Sequence, residues 1–254
     1  MRNFYNIGNL PAAKQQRSFA EHAYDILEEM IVTLVLSPGT TLTESELIEE
    51  TGLGRTPMRE ALQRLSDVGL IDIIPRQGTR VTEINFGDQL LLLEVRRELE
   101  RLIATSAARR RTAEQSSRLS EMAVEMRHAA ATDDYLLFLR VDRAFNQCVA
   151  ESSANRHLVK AITPIHALAR RFWYKYYRPY DLPIAAVGHA EIMEAIVAAD
   201  PVAAGAASDR LLDYVVSFTC SAESRNSGSD NIASAPPTPA SALRGGSDGR
   251  PFSG

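Results

Sequence analysis

Cysteine is almost absent from this chain. Cys148 and Cys220 are the only two, they lie far apart, and neither belongs to a CxxC pair. That excludes a disulfide framework and a zinc ribbon, and it points to reduced thiols in a cytoplasmic protein. Long apolar runs are missing too: the aliphatic stretch from Ile31 to Leu36 is broken by Thr33 and falls far short of a membrane span. Arg2 is followed by no hydrophobic signal core, so export is not expected. The chain has no glycine-rich phosphate loop, no nucleophile elbow and no HExxH pair, so an enzyme reading would rest on Asp142 and His189 alone and is not expected. Basic charge is also in short supply. Net charge is −4, and residues 14–83 hold seven Lys and Arg against twelve Asp and Glu. Bulk electrostatic attraction to nucleic acid is thereby excluded, and any contact with phosphates must come from a few well-placed side chains.

What is present is ordinary globular material, 45% hydrophobic and 24% charged over 254 residues, a length that suits two modest domains. Residues 1–17 show no apolar period and read as a flexible arm, in which Lys14 and Arg17 are either solvated or within reach of phosphates. From Ser18 to Leu36, Phe19, Ala23, Ile26, Leu27, Met30, Ile31 and Leu34 recur at helical spacing, with Ser18 as cap and Ser37-Pro38-Gly39 as the following turn. Thr40-Thr41-Leu42 is a short extended piece, and Thr43 with Glu46 fits a capping box for a short helix that stops at Thr51-Gly52. Leu53-Gly54 turns into a helix over about Arg55 to Val68, closed by Gly69. Two strands, Ile71–Ile74 and Thr79–Thr82, flank a turn at Pro75–Gly78. The order is that of a winged helix-turn-helix over residues 18–83.

This arrangement gives the arginines a function. A recognition helix reads base edges with the residues of its first turns, here Arg55, Thr56 and Arg59. Arg55 and Arg59 are four apart and share a face, and arginine pairs bidentately with guanine or grips phosphate. Pro57 sits in the first turn, where its missing N–H costs nothing. At the wing tip, Arg76 and Gln77 are placed to border the minor groove, and Gly78 permits positive φ and a close approach to the sugar-phosphate rail. The expected partner is double-stranded DNA.

Beyond a short connection at 84–87 the pattern is helical to Cys220, with helices at about 88–110, 113–130, 133–152, 156–178, 185–199 and 202–219. Short loops between long amphipathic helices imply an antiparallel six-helix bundle over 88–220, with a kink expected at Pro164. The fold class is therefore mainly α, a winged helix-turn-helix followed by a bundle. In residues 221–254, Ser, Gly and Pro supply 17 of 34 positions, the composition of a disordered tail.

Residues 37–82 resemble the N-terminal domain of the GntR family of bacterial transcription regulators. The resemblance is carried by Pro38-Gly39 with Leu42, Glu44-Ser45-Glu46-Leu47, Gly52-Leu53, Arg55-Thr56-Pro57-Met58-Arg59-Glu60-Ala61-Leu62, Leu65, Gly69-Leu70 and the Gly78–Val81 wing. It implies that Arg55, Thr56, Arg59 and Gly78 contact DNA. Gly54 stands where the family usually has serine, which removes a side-chain cap of about 0.5 kcal/mol.

Residues 86–220 resemble the FCD-type effector domain of the FadR-like branch, through Glu94-Val95-Arg96, Leu99-Glu100, Asp142, Phe145, Ser153-Ala154-Asn155, His189, Ala195-Ile196 and Asp200. The resemblance implies a homodimer on a pseudopalindromic operator, acting as a repressor of a metabolic operon, with a small organic acid as effector. It also implies a divalent-metal site made of an aspartate, a histidine four residues on and two further histidines. This chain keeps Asp142 and His189 but has Asn146 and Leu211 at the other two positions. No resident cofactor is therefore expected; Asp142, Asn146 and His189 are expected to form a polar effector pocket, or Asp142 and His189 a buried ion pair. Arg96 has two readings, a carboxylate anchor or an ion pair with Glu100 at i+4. His166 is read as a satisfied or exposed histidine. The run from Arg170 to Arg178 either lines the pocket or dimer contact, or divides into a core side and a solvated basic side. An alternative for the whole chain is an orphan DNA-binding regulator whose bundle is purely structural.

Overall fold

Ser18 caps the first helix. Its hydroxyl accepts the Glu21 amide at 3.1 Å, and its own amide donates to the Glu21 carboxylate at 2.9 Å. The structure, a computed structural model, describes residues 18–228, so the arm over 1–17 and the segment 229–254 lie outside the described residues. Helix α1 (Phe19–Val32) ends four residues before the apolar period does, because Leu34 adopts φ 59° and Leu36 folds back to donate to the Met30 carbonyl. Strand β1 (Thr41–Leu42) precedes α2 (Glu44–Thr51), whose start is the capping box of Thr43 and Glu46 and whose end is Gly52 at φ 70°. Helix α3 (Arg55–Asp67), β2 (Ile71–Ile74) and β3 (Gly78–Val81) complete the first unit, which holds Val35–Glu83 and the helix before it.

The wing is wider than its sequence suggests. The piece at Thr41–Leu42 is a third strand, and the sheet runs β1-β3-β2, antiparallel throughout. Thr41 pairs Arg80 and Leu42 pairs Thr79. Two residues are too short for a period to be visible, so only the fold reveals the pairing. Leu27, Ile31, Leu47, Met58, Leu65 and Leu70 bury the inner faces of the helices. Val68, at the end of α3, is only partly covered, whereas Met58 in its first turns is fully buried.

The second unit holds the chain from Ile84 onward together with Val32–Leu34. It contains α4 (Phe86–Arg110), α5 (Ala113–Thr132), α6 (Tyr135–Ser152), α7 (Arg156–Tyr176), α8 (Asp181–Val197) and α9 (Pro201–Gly228). Three boundaries differ from the sequence pattern. Asn85 caps α4 by accepting the Asp88 amide, so the connection before it is shorter than 84–87. Helix α8 starts at Asp181 because Pro183 lies in its first turn, where no backbone donor is needed. Helix α9 continues past Cys220 into the segment read as tail: Ala222 is buried, and Arg225 reaches the Tyr180 hydroxyl at 3.1 Å. Helix α7 runs on through Pro164.

Helix α5 lies along α8, and α4 along α9. Leu93, Leu119, Met126, Ile162, Leu182 and Met193 are all but fully buried between them. Within this apolar core stand charged groups from the middle of three helices: Arg96 of α4, Asp142 of α6 and His189 of α8. They are the feature of the bundle that packing alone does not explain.

Candidate functional site

The first site lies on the outer face of the first unit. Gly54 precedes α3 in extended conformation and makes no side-chain cap, so the first amides of the helix are left open to solvent or an anion. Arg55, Thr56 and Arg59 are exposed on its first turns, while Met58, Ala61, Leu62 and Leu65 anchor the opposite side. Arg59 is steered by Glu44 of α2, with Nε 2.7 Å from the carboxylate. Such an exposed pair contributes about 0–1 kcal/mol, so it orients the guanidinium and yields readily to a phosphate or a base edge.

The wing tip is built by a type II-like turn. Gln77 donates its amide to the Ile74 carbonyl at 3.1 Å, Pro75 holds the second position, and Arg76 holds the third at φ 66°. Glycine or asparagine is usual there; an arginine in left-handed conformation costs about 1 kcal/mol and leaves its side chain fully presented beside Gln77. Gly78 adopts the positive φ its sequence position suggests, and a backbone neighbour stands close to it as well. Its φ is 106°, and a Cβ there would stand 2.5 Å from the Leu42 carbonyl oxygen. The glycine lets β1 close onto β3, and its own sheet suffices to require it.

The second site is a cavity of about 40 Å³ inside the bundle. Its polar lining comes from Gln89 and Arg96 on α4, Asp142 and Asn146 on α6, His166 and Arg170 on α7, and His189 on α8; Phe138, Phe172, Trp173 and Phe218 supply aromatic walls. Asp142 is the hub. One oxygen accepts from the Asn146 amide at 3.1 Å and lies 3.1 Å from His189 Nε2; the other lies 3.8 Å from Arg170 Nε. His189 Nδ1 is fixed by the Ala185 carbonyl at 2.7 Å, and the ring is gripped edge-on by Phe138 and Phe145. Burial alone would raise the Asp142 pKa; the His189 hydrogen bond and charge, with Arg170 and Arg96 behind them, hold it below the usual carboxylate range.

A second carboxylate lies one step away. Glu100 bonds Arg96 Nε at 2.7 Å and His166 Nε2 at 3.0 Å. Burial pushes Glu100 up as well, and Arg96 and His166 outweigh it, bringing the pKa down to about 2. Of its two readings Arg96 shows the ion pair with Glu100, and it also lines the cavity. His166 is satisfied, as a histidine in its place was expected to be. The run from Arg170 lines the cavity through Arg170, Phe172 and Trp173 and packs Tyr174 and Tyr177 in the core; the solvated basic side is not found, since Arg171 is buried and Lys175 and Arg178 are half-buried.

As a donor set for a divalent cation this arrangement is poor. Asn146 turns its NH₂, not its oxygen, to Asp142. Leu211 is 3% exposed and packs against Gly188, where a Cβ would meet it at 2.9 Å. The Arg170 guanidinium already lies beside the carboxylate. Two strong ligands and a neighbouring cation do not fit the four-ligand pattern that zinc or a similar ion needs. Among the described residues no group of three His, Cys, Asp or Glu is close enough to hold a metal ion.

The sequence named Glu100 as the ion-pair partner of Arg96, and Arg170 and Trp173 only within the run 170–178, although His166, Arg170 and Trp173 are spaced four and three apart on one face of α7. That face was hidden by the density of aromatic and basic residues around it. No helix among the described residues is long and apolar enough to cross a membrane.

Known proteins agree with these two units. A family model described as bacterial regulatory proteins, gntR family, matches residues 19–81, and the FCD domain model matches residues 91–214. The uncharacterized HTH-type transcriptional regulator YieP of Escherichia coli K12 is 31% identical over 229 residues, covering 80% of this chain and 98% of its own length. The HTH-type transcriptional repressor RspR of the same organism is 30% identical over 131 residues, 52% of this chain and 58% of its own. Among solved structures, E. coli McbR/YncC superposes with a TM-score of 0.70 at 21% identity, over 81% of this chain and 99% of that one, a likeness of fold.

Proposed function

This chain belongs to the GntR family of bacterial regulatory proteins, with a GntR helix-turn-helix unit and an FCD unit, and as a DNA-binding transcriptional regulator of that type we propose that it is a ligand-responsive repressor of a metabolic operon. The observation that carries the DNA half is Arg55, Thr56 and Arg59, exposed together on the first turns of α3, with Arg76 and Gln77 presented at the wing tip. On an acidic unit these side chains act by position: Arg55 and Arg59 on base edges or phosphates of the major groove, Arg76 and Gln77 along the flanking minor groove. Binding is then sequence-specific, weak on random DNA and steeply salt-dependent.

The effector we infer is a small carboxylate held at the bundle cavity, with Arg96, Asp142, Asn146 and His189 around it. Buried arginines and histidines among aromatic walls suit an anion with a short apolar body. No catalytic role is assigned to Asp142 and His189, whose hydrogen bonds are internal to the cluster. Repression is the sign favoured by the named activity of RspR, and a homodimer by the row of exposed Leu91, Val95 and Leu102 on α4. A ligand alters DNA affinity only by binding one arrangement of the dimer more tightly.

The small size of the cavity, with Glu100 and Asp142 each already partnered, favours a second reading in which the bundle is purely structural. Fluorescence anisotropy of operator DNA separates the two. The sensor reading expects release of DNA, about fivefold or more, by at least one small carboxylate; an operator affinity unchanged by every acid and metal tried supports the structural bundle.

A further inference from the structure

Trp173 is the only tryptophan of the chain, and its indole nitrogen is buried with no hydrogen-bond partner among the described residues. Buried donors are nearly always satisfied, so an orphan beside a polar cavity asks for an acceptor. Trp173 lines that cavity, one helical turn from Arg170 on the same face of α7, with Phe138 at 5.8 Å and Phe218 at 4.7 Å flanking its ring. The cluster is balanced before its histidines are counted, with Arg96 and Arg170 against Glu100 and Asp142, so a bound anion has two guanidinium groups and two imidazoles around it.

We propose that the cavity is an oxyanion subsite that works without a metal, in which the indole N–H of Trp173 and the Arg170 guanidinium hold the carboxylate of a short-chain acid. This rests on the sensor reading given above and deepens it. The positive charge that a divalent ion on Asp142 would supply to an anion is supplied by Arg170, which lies 3.8 Å from that carboxylate. The amide of Asn146 and the hydrocarbon of Leu211 then replace metal ligands without loss, because the site no longer has a cation to hold. Size sets the acid. About 40 Å³ holds roughly three water molecules at the 10–15 Å³ each requires, which is room for a carboxylate head and a carbon or two but not for a polyhydroxy acid.

The single indole gives a direct readout. In an ¹⁵N-correlated spectrum of the full chain, one indole N–H cross-peak is expected, and titration with acetate or propionate in excess EDTA should move it downfield and saturate. Calorimetry under the same conditions should give an affinity unchanged when EDTA is replaced by zinc or manganese. Trp173→Phe should weaken the acid about tenfold or more, as loss of a hydrogen bond to a charged group does. A saturating calorimetric response with a stationary indole peak overturns the Trp173 contact. Binding that appears only with metal present overturns the metal-free claim and leaves the sensor reading standing. Absence of binding by every acid, with and without metal, removes the sensor reading itself.

Discussion

Single residues carry the tensions of this molecule. Arg76 occupies a left-handed position at the wing tip where glycine would be relaxed. Strain of about 1 kcal/mol kept at an exposed arginine is explained if the side chain is used. Arg76→Gly should therefore raise the urea midpoint by about 1 kcal/mol of stability while weakening operator binding severalfold; a variant that gains stability and loses no affinity removes Arg76 from the DNA contact. Glu100 is the reverse case, a buried carboxylate whose partners dominate. Its pKa is brought down from 4.5 to about 2, so its contribution is complete above pH 4.5 and is lost as pH falls toward 2. Glu100→Gln should flatten that acid limb in a pH series of thermal melts. It should also cost about 3 kcal/mol at neutral pH, since Arg96 is left buried without its countercharge. An acid limb identical to that of the parent chain would show that other carboxylates govern acid unfolding.

At the scale of elements, α3 and the wing are coupled by two glycines with opposite demands. Gly54 has φ −73° and ordinary contacts, its nearest neighbours being Pro57 atoms 3.7 Å from a built Cβ, so a serine is tolerated there and supplies the absent cap. Gly54→Ser should add a few tenths of a kcal/mol to stability and tighten operator binding modestly, read by chemical denaturation and anisotropy. Gly78→Ala should do the opposite. Its Cβ cannot coexist with the Leu42 carbonyl, so β1 must leave β3, and a loss of at least about 2 kcal/mol is expected in the same denaturation assay. These elements also mark what was legible in advance. Helices and the caps at Ser18 and Thr43 follow from local chemistry, and the sequence shows them to within a few residues except at the far end of α9. The β1–β3 pairing, the meeting of Asp142 with Arg170, and the Glu100–His166 bond join positions far apart in the chain, and no local period encodes them. Arg96 and Glu100, four apart on one helix, were legible as a pair for that reason.

For the whole molecule, the account is a division of labour between two compact units. The first is acidic and of the DNA-binding GntR type, with a few arginines exposed on α3 and at the wing tip. The second buries a balanced set of charges around a small cavity, a costly arrangement that a purely structural bundle would do better with hydrocarbon. The most direct test of the central claim is a footprint of the full-length protein on the DNA upstream of its own gene at low salt, run beside Arg55→Ala. The account predicts two protected half-sites about 10 base pairs apart or a multiple of it, centred on a pseudopalindrome, with protection lost in the variant. No protected site, or equal protection by Arg55→Ala, would contradict it.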